Sequence, residues 1–372
     1  MPKYLFSDKH AFKKVRFPRK KGLSWWRHIC TGVRANDGRY TSFFIEYAAV
    51  NLSISPQAVI RNNKLEEDNA PRTKRAKKAA LKTAEKPSYI LVRAGFFDSR
   101  EMVFEEFFPA SELRYKREDS ALVFKECSLA DSTISGSITQ HSVIYSLFSD
   151  KSHKDTLAWN LSFKEDTVLN ARIAYNAFKW LCSGSKTFVT GSTRINDDVY
   201  TIADTSFCYL DKAYGKEIPE YWFHVSGVHM VSRITNKKLE ASCVIAQSFT
   251  PGKITIFLAL ESIHLSFKPR KMFKNMQSTA CIKNEDKIHW TTSAQSGKYV
   301  LDIDIFCPAP EMKVRNYDSP NGQGLFLSLL TGASGSGEIK LFKRIKKSLE
   351  LIEHADIKNA HCEFGGKDVL TI

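Results

Sequence analysis

Short runs of alternating apolar and polar residues recur along this chain. The clearest is 299–305, where Tyr299, Leu301, Ile303 and Ile305 alternate with Val300, Asp302 and Asp304. A period of two puts successive side chains on opposite faces of a strand. Further strand-like runs cover 43–50, 89–97, 156–163, 187–195, 222–231, 239–249, 254–260 and 338–342. Turn signals separate several of them, among them Asn36-Asp37-Gly38 and Asn196-Asp197. The segment GASGSGE at 332–338 also reads as a hairpin turn, because it lacks the Lys and following helix of a phosphate loop. Many short strands at this spacing predict barrels or sandwiches.

One stretch breaks the pattern. In EDTVLNARIAYNAFKWLCSG, residues 165–184, Leu169, Ile173, Ala177 and Trp180 fall near one helical stripe. Glu165 and Asp166 stand at its start and Gly184 closes it, so the spacing predicts a helix. A chain of 372 residues exceeds what one hydrophobic core usually serves. The helix is therefore read as a connector between two halves, 1–184 and 185–372.

Composition sharpens this picture. Aromatic residues make up 12% of the chain, with 25 Phe, 13 Tyr and 6 Trp. Such side chains suit pleated surfaces and wall apolar pockets. The net charge of +15 first suggests nucleic acid. Residues 1–22 and 72–86, however, supply +13 of it, so no broad basic face is implied. Residues 61–87 are polar and Lys-rich, with Pro71 and Pro87, and read as a flexible insert. The eight cysteines form no CxxC pair and sit mostly in apolar runs, the pattern of buried thiols in a reducing compartment. The opening MPKYLFSDKHAFKK has no apolar leader core, and no segment has the length of a membrane helix. A cytoplasmic protein is expected. No His, Asp, Glu or Cys grouping has metal-ligand spacing and no nucleophile elbow appears, so neither metal nor cofactor is expected.

Two stretches carry a family resemblance. The first is LSWWRHICTGVRANDGRYTSFFIEYAAV, a strand with a Trp pair, a polar turn and an apolar return strand. The second is YLDKAYGKEIPEYWFHVSG, in which Tyr209, Asp211, Lys212, Gly215, Pro219 and Trp222 keep the order of a known motif. Both resemble the tocopherol cyclase family. Weaker echoes follow in the family's order at 134–139, 157–163, 287–306 and 337–342. The resemblance implies a mainly β protein of two lipocalin-like antiparallel barrels packed together. It also implies a hydrophobic substrate between or within them. Family members close chromanol rings, and relatives hydrate carotenoids, without metal or redox cofactor. The chain departs after Trp222, where His224, Ser226 and Val228 replace family residues, and at Tyr214, which replaces a Trp.

Ring closure or hydration of a polyene needs a proton donor and aromatic faces to stabilise a developing cation. Trp25, Trp26, Tyr47, Tyr209, Trp222 and Trp290 are the ligand-binding candidates; core packing is the competing reading for each. Neighbouring strand residues face opposite sides, so one of Trp25 and Trp26 should fill a barrel and the other lie at the seam. Asp211 is the first candidate acid, against a surface ion pair. Glu46, among apolar neighbours, is the second, against a structural bridge to an arginine. His224 shares a face with Trp222 and is the candidate proton shuttle, against a hydrogen-bonded core histidine.

The expected partner is thus a large hydrophobic, prenylated or polyene molecule. A non-catalytic carrier is the alternative. Binding of nucleic acid or an anionic surface through the basic segments is the second alternative. Nucleic acid is the less favoured of these partners, while peripheral membrane contact stays open.

Overall fold

A computed structural model describes residues 15, 18, 20–34, 37–52, 86–98, 103–145, 150–164, 169, 171–202, 206–269, 278–284, 286–322 and 326–366. Most of the Lys-rich insert at 61–87 and most of the basic stretch 1–22 lie outside the described residues. Among the described residues there is no α-helix; the chain is a succession of antiparallel strands with two short 3-10 turns.

The first sheet begins with β1 (Leu23–Arg34), β2 (Tyr40–Val50), β3 (Tyr89–Phe96) and β4 (Val103–Phe108). It continues with β5 (Arg114–Lys116), β6 (Ala121–Phe124), β7 (Cys127–Leu129), β8 (Thr133–Tyr145) and β9 (Asp150–Lys164). Its last strands are β10 (Ala171–Tyr175), β11 (Phe178–Ile195), β12 (Asp198–Thr201) and β13 (Phe207–Gly215). The hydrogen-bonded path runs β4-β3-β2-β1-β12-β11-β9-β8, with β13 bridging β1 and β11. Packing of β4 against β8 closes it into a barrel.

The second sheet holds β14 (Tyr221–Gly227), β15 (His229–Ser232), β16 (Ser242–Ser248), β17 (Thr255–Leu260) and β18 (Ile263–Phe267). It is completed by β19 (Ser278–Asn284), β20 (Lys287–Ser296), β21 (Tyr299–Pro308), β22 (Lys313–Asp318), β23 (Phe326–Ile345) and β24 (Ser348–Gly366). Its path is β18-β17-β16-β14-β24-β23-β21-β20-β19, and β18 meets β20.

Burial explains which runs alternate. In β21 the inward Leu301, Ile303, Ile305 and Cys307 are buried, while Asp302 and Asp304 stay partly exposed. Every residue of β3 and of β16 is buried, because both faces of these strands are covered. One face lines a barrel; the other faces the neighbouring barrel. Three apolar clusters result. One fills the first barrel around Phe43, Tyr47 and Trp159. Another fills the second around Phe223, Trp290 and Leu341. A third lies between them and joins Trp25, Phe44 and Trp180 to Trp222, Ile245 and Leu329.

Four expectations are corrected. The helix expected over 165–184 is, from 171 on, the hairpin of β10 and β11, with Ile173 opposite Trp180. Ala171, Ile173 and Tyr175 alternate, as do Phe178, Trp180 and Cys182; Asn176, at φ 49°, turns the chain between them. The boundary expected at 184 falls inside β11, and pairing of β13 with β1 and β11 carries the first sheet to Gly215. The turn expected at 332–338 is a bulged stretch within β23, with register shifts at Gly332, Gly335 and Gly337 against β24. Finally, two of the eight cysteines, Cys30 and Cys208, are disulfide-bonded, just past the Ile29–Tyr209 pair of β1 and β13. The cysteine pattern therefore does not by itself assign a reducing compartment.

The bulge is a place where only glycine fits. A Cβ on Gly337 would lie 2.0 Å from the Asp304 carbonyl oxygen on the neighbouring strand. Gly337→Ala must push β21 and β23 apart and should lower stability by about 2–3 kcal/mol. A urea unfolding midpoint unchanged from wild type would refute this close approach.

Candidate functional site

The seam between the barrels is built by strand parity. On β1, Trp25 and Ile29 join the inter-barrel cluster, while Cys30 and the half-buried Trp26 pack into the first barrel. Arg27 shares the Trp25 face and is fully buried. Directly beside it in register are Glu46 on β2 and Asp211 on β13. Arg93 is in turn the partner of Glu46 in the β2–β3 register. From the second sheet, β22 supplies Arg315 and Tyr317, and β24 supplies His361 and Glu363.

These residues form one buried ionic lattice. Arg27 Nε donates to Asp211 Oδ1 at 2.7 Å, and its Nη2 pairs with Asp211 Oδ2. Across the seam, Arg27 Nη1 donates to Glu363 Oε1 at 2.7 Å. Arg315 repeats the bridge in reverse, donating to Glu363 Oε1 at 2.6 Å and to Glu46 Oε2 at 2.8 Å on the first sheet. Tyr317 also donates to Glu46 Oε2, at 2.6 Å. Arg93 lies 3.5 Å from Glu46 Oε1 and donates to Glu105 at 2.6 Å. Aromatic faces wall the charges: Arg27 lies 5.4 Å from the Trp25 ring and 5.6 Å from Trp222. Trp180 and Trp222 donate their indole N–H groups to Asp211 and Glu363, at 3.0 and 2.8 Å.

Burial sets the protonation states. Burial alone would raise the Glu363 carboxyl, but Arg27, His361 and Arg315 hold it well below the usual carboxylate range. Burial likewise opposes the Arg27 charge; Asp211 and Glu363 outweigh it and keep the guanidinium protonated. His224 is pushed down to about 3 by burial and by neighbouring His361. His361 is also lowered, mainly by burial, so both imidazoles are neutral at pH 7. Tyr209 is raised well above its ordinary value by burial and by Asp211, and stays a phenol.

Next to the lattice, a cavity of about 40 Å³ opens between the sheets. Thr31, Ser185 and Tyr209 line it from the first sheet, and Ser226, Asn359 and His361 from the second. Tyr209 Oη donates weakly to Asp211 Oδ2 at 3.3 Å. The His361 and Tyr209 rings are 5.2 Å apart. His361 Nε2 lies 3.2 Å from Glu363 Oε1, poorly aligned, while its Nδ1 has no partner. Thr31 Oγ1 is also buried without a partner. The space suits about three water molecules or one small polar group.

Six of the sequence candidates meet here: Trp25, Glu46, Tyr209, Asp211, Trp222 and His224. Both acids are arginine partners: Glu46 makes the structural bridge weighed as its alternative, while Asp211 pairs with Arg27 in a buried site rather than at the surface. His224 is held between Gln247 at 2.7 Å and Ser226 at 3.2 Å. The other candidates do not meet. Tyr47 lies inside the first barrel, accepting from Trp159 at 2.8 Å. Trp290 lies inside the second and donates to the Glu363 carbonyl at 3.1 Å. Trp26 faces the first barrel. The seam residues that sequence reasoning missed are Arg27, Arg93, Arg315, Tyr317, His361 and Glu363. Parity gave one usable signal: Arg27 must share the face of Trp25, and a buried guanidinium needs carboxylates. The resemblance implies a hydrophobic substrate between or within the barrels; beside the lattice, the described residues pack closely. Trp25, Phe178, Trp222, Phe249 and Tyr317 fill that space with ring contacts of 4.9–6.1 Å. The cavity beside them is far below the roughly 300 Å³ at which drug-sized pockets begin.

Two outcomes follow from the lattice. Arg27→Met leaves Asp211 and Glu363 short of a partner and should cost about 3–5 kcal/mol. In a double-mutant cycle with Asp211→Asn the two losses should fall short of additive, and additive losses in chemical denaturation would refute the coupling. The histidines set a pH dependence. His28, inside the first barrel, is lowered by burial to about 4, and His224 to about 3, from 6.5. Each binds a proton more readily unfolded, so its contribution is complete above about pH 6.5 and is lost as pH falls. Between pH 6 and 5, stability should drop by about 1.4 kcal/mol per pH unit for each. His224→Gln should remove its own share, about 1.4 kcal/mol per pH unit, from the slope in urea titrations across this range, and an unchanged slope would refute it.

No family model and no curated protein matches the sequence. Among solved structures, the chain is similar to kievitone hydratase from Nectria haematococca, at 9% sequence identity and a TM-score of 0.42. The alignment covers 95% of this chain and 94% of that one.

Proposed function

We propose that this chain binds an apolar small molecule whose polar end enters the seam cavity, and that the seam carries out cofactor-free proton transfer on it. The observation that supports this reading is the pair of buried, unpartnered acceptors in the cavity wall, His361 Nδ1 and Thr31 Oγ1, beside the Tyr209 phenol. Buried polar atoms left without partners are costly, and a ligand hydroxyl or carbonyl supplies what they lack. With its Nε2 towards Glu363, neutral His361 offers the Nδ1 lone pair as a base. Tyr209 is the proton donor: its hydroxyl, which rests on Asp211 Oδ2 at 3.3 Å, leaves that bond and turns to the ligand, while Arg27 holds Asp211 in place. The rings of Trp25 and Trp222 lie one layer behind. This fits the tocopherol cyclase-like motifs in one respect, an apolar substrate held between two barrels. It changes the donor, because Asp211 and Glu46 are arginine-paired carboxylates rather than neutral acids.

A carrier without chemistry is the second reading. The pairing of Glu46, Asp211 and Glu363 with arginines favours it, since none is a free carboxylic acid.

The test is to purify the full chain, identify co-purifying lipophiles by mass spectrometry, and return the extracted molecule to wild type, Tyr209→Phe and His361→Gln. Each variant should weaken binding about tenfold, the worth of one hydrogen bond. Conversion by wild type and its loss in both variants would establish catalysis. Bound but unchanged ligand would favour the carrier. Wild type with no lipophile, or variants that bind as wild type does, would overturn the site.

A further inference from the structure

The hairpin of β23 and β24 outruns the sheet that supports it. Its last partner on β21 is Tyr299, opposite Lys343. One further bond, from Arg344 N to Lys298 O in the turn between β20 and β21, ends the support. Beyond it the two strands pair only with each other, through Arg344–Leu349 and Ile345–Ser348. Such a projecting ribbon gains little from its own pairing. This one nevertheless exposes three large aliphatic side chains: Ile345 at 43%, Leu349 at 50% and Leu351 at 42%. Around them stand Arg344, Lys346 and Lys347, all exposed. Glu350, the acid of the tip, sits opposite Lys343 in the register, which leaves these three cations unanswered. Among the described residues, none of the three forms an ion pair.

We propose that this hairpin tip, residues 344–351, docks the protein on an anionic phospholipid surface. Leu349 and Leu351 stand on one face with Arg344, their parity shared through the register. Aliphatic side chains ringed by long cations match the boundary between lipid headgroups and acyl chains. The methyl groups enter the apolar edge, and the Lys and Arg heads stay with the phosphates. Nucleic acid would answer the charge but not the aliphatics; single strands stack on aromatic rings, and the tip exposes none. A protein partner would answer the aliphatics, but nothing on the hairpin selects it over a surface of dense negative charge. The proposal is independent of the seam cavity. The tip and the cavity draw on the same two strands, β23 and β24, but at separate places: Ala333, Asn359 and His361 line the cavity, and no tip residue does.

The test uses the full chain and sedimentation with two kinds of vesicle, phosphatidylcholine alone and phosphatidylcholine mixed with phosphatidylserine. Wild type should pellet with the mixed vesicles and lose binding as salt rises. Arg344→Gln with Lys346→Gln and Lys347→Gln should weaken it on the order of a hundredfold, about fivefold for each charge removed. The Lys-rich stretches 1–22 and 72–86 could bind the same vesicles, so a second variant keeps every charge. Leu349→Ser with Leu351→Ser should also weaken binding, at least tenfold. In a third, Leu349→Trp, the added emission should shift to the blue with mixed vesicles and be quenched by brominated lipid. These side chains are exposed, and an unchanged circular dichroism spectrum verifies the fold of each variant. Wild-type binding by Leu349→Ser/Leu351→Ser, or an unshifted Leu349→Trp emission, would overturn the proposal. So would a wild-type dimer that these serines dissolve, since the tip would then pair with a second copy.

Discussion

Three arginines and three carboxylates buried at one seam decide how the two barrels sit. Arg27 belongs to the first sheet and reaches Glu363 of the second; Arg315 belongs to the second and reaches Glu46 of the first. The two bridges run in opposite directions and share Glu363. Each ion pays heavily for leaving water, and only near-complete pairing returns it. An apolar seam would tolerate a small slide of one barrel over the other. This lattice does not, because a slide of a few ångströms strands charges in a dry interior. Its contribution is therefore geometric: it selects one docking of the barrels among many that would bury the same apolar area.

That constraint shapes the chemistry available beside it. With the carboxylates committed to guanidinium groups, the other titratable groups beside them are weaker acids and bases, the phenol of Tyr209 and the imidazoles of His224 and His361. Burial keeps all three neutral. Tyr209 and His361 line the cavity and His224 packs against both rings, so these groups present polar but uncharged surfaces while the full charges sit one layer deeper. A ligand group placed in the cavity feels oriented dipoles and a balanced ionic background rather than a bare ion. Such a field discriminates by hydrogen-bond geometry more than by charge.

Much of the fold was legible. The nine strand-like runs all fall on strands, ten of the twenty-four among the described residues, and alternation is clearest where the two faces differ in polarity, as in β21. Alternation failed at 165–184, where Leu169, Ile173, Ala177 and Trp180 satisfy a helical stripe although Ile173 and Trp180 lie on the two strands of a hairpin that turns at Asn176. It failed again at 332–338, because glycines mark bulges as readily as turns. Of the site, the parity of Trp25 and Trp26 was readable, and so was the shared face of Trp222 and His224. Asp211 and Glu46 were readable as acids within apolar runs, and both are buried. What they pair with was not readable. Arg315 is 269 positions from Glu46, and Glu363 is 336 from Arg27. No local pattern links residues that meet only after two sheets have closed and docked. Tyr47 and Trp290 were drawn towards the site by composition alone; their parity points into barrels that are already full.

The same long-range character ties the cavity to the docking of the barrels. Thr31, Ser185 and Tyr209 come from one sheet, and Ser226, Asn359 and His361 from the other. Neither sheet carries the constellation alone. Whatever occupies the cavity binds both barrels at once and so favours the docked arrangement by its own binding free energy. The converse also holds. Loosening the lattice disperses the cavity wall before it unfolds either barrel, since each barrel has its own filled core. Occupancy of the cavity and strength of the seam are therefore one linked equilibrium, with Glu363 at its centre. Its carboxylate accepts from Arg27 and Arg315, takes the Trp222 indole N–H, and lies against the His361 that faces the cavity.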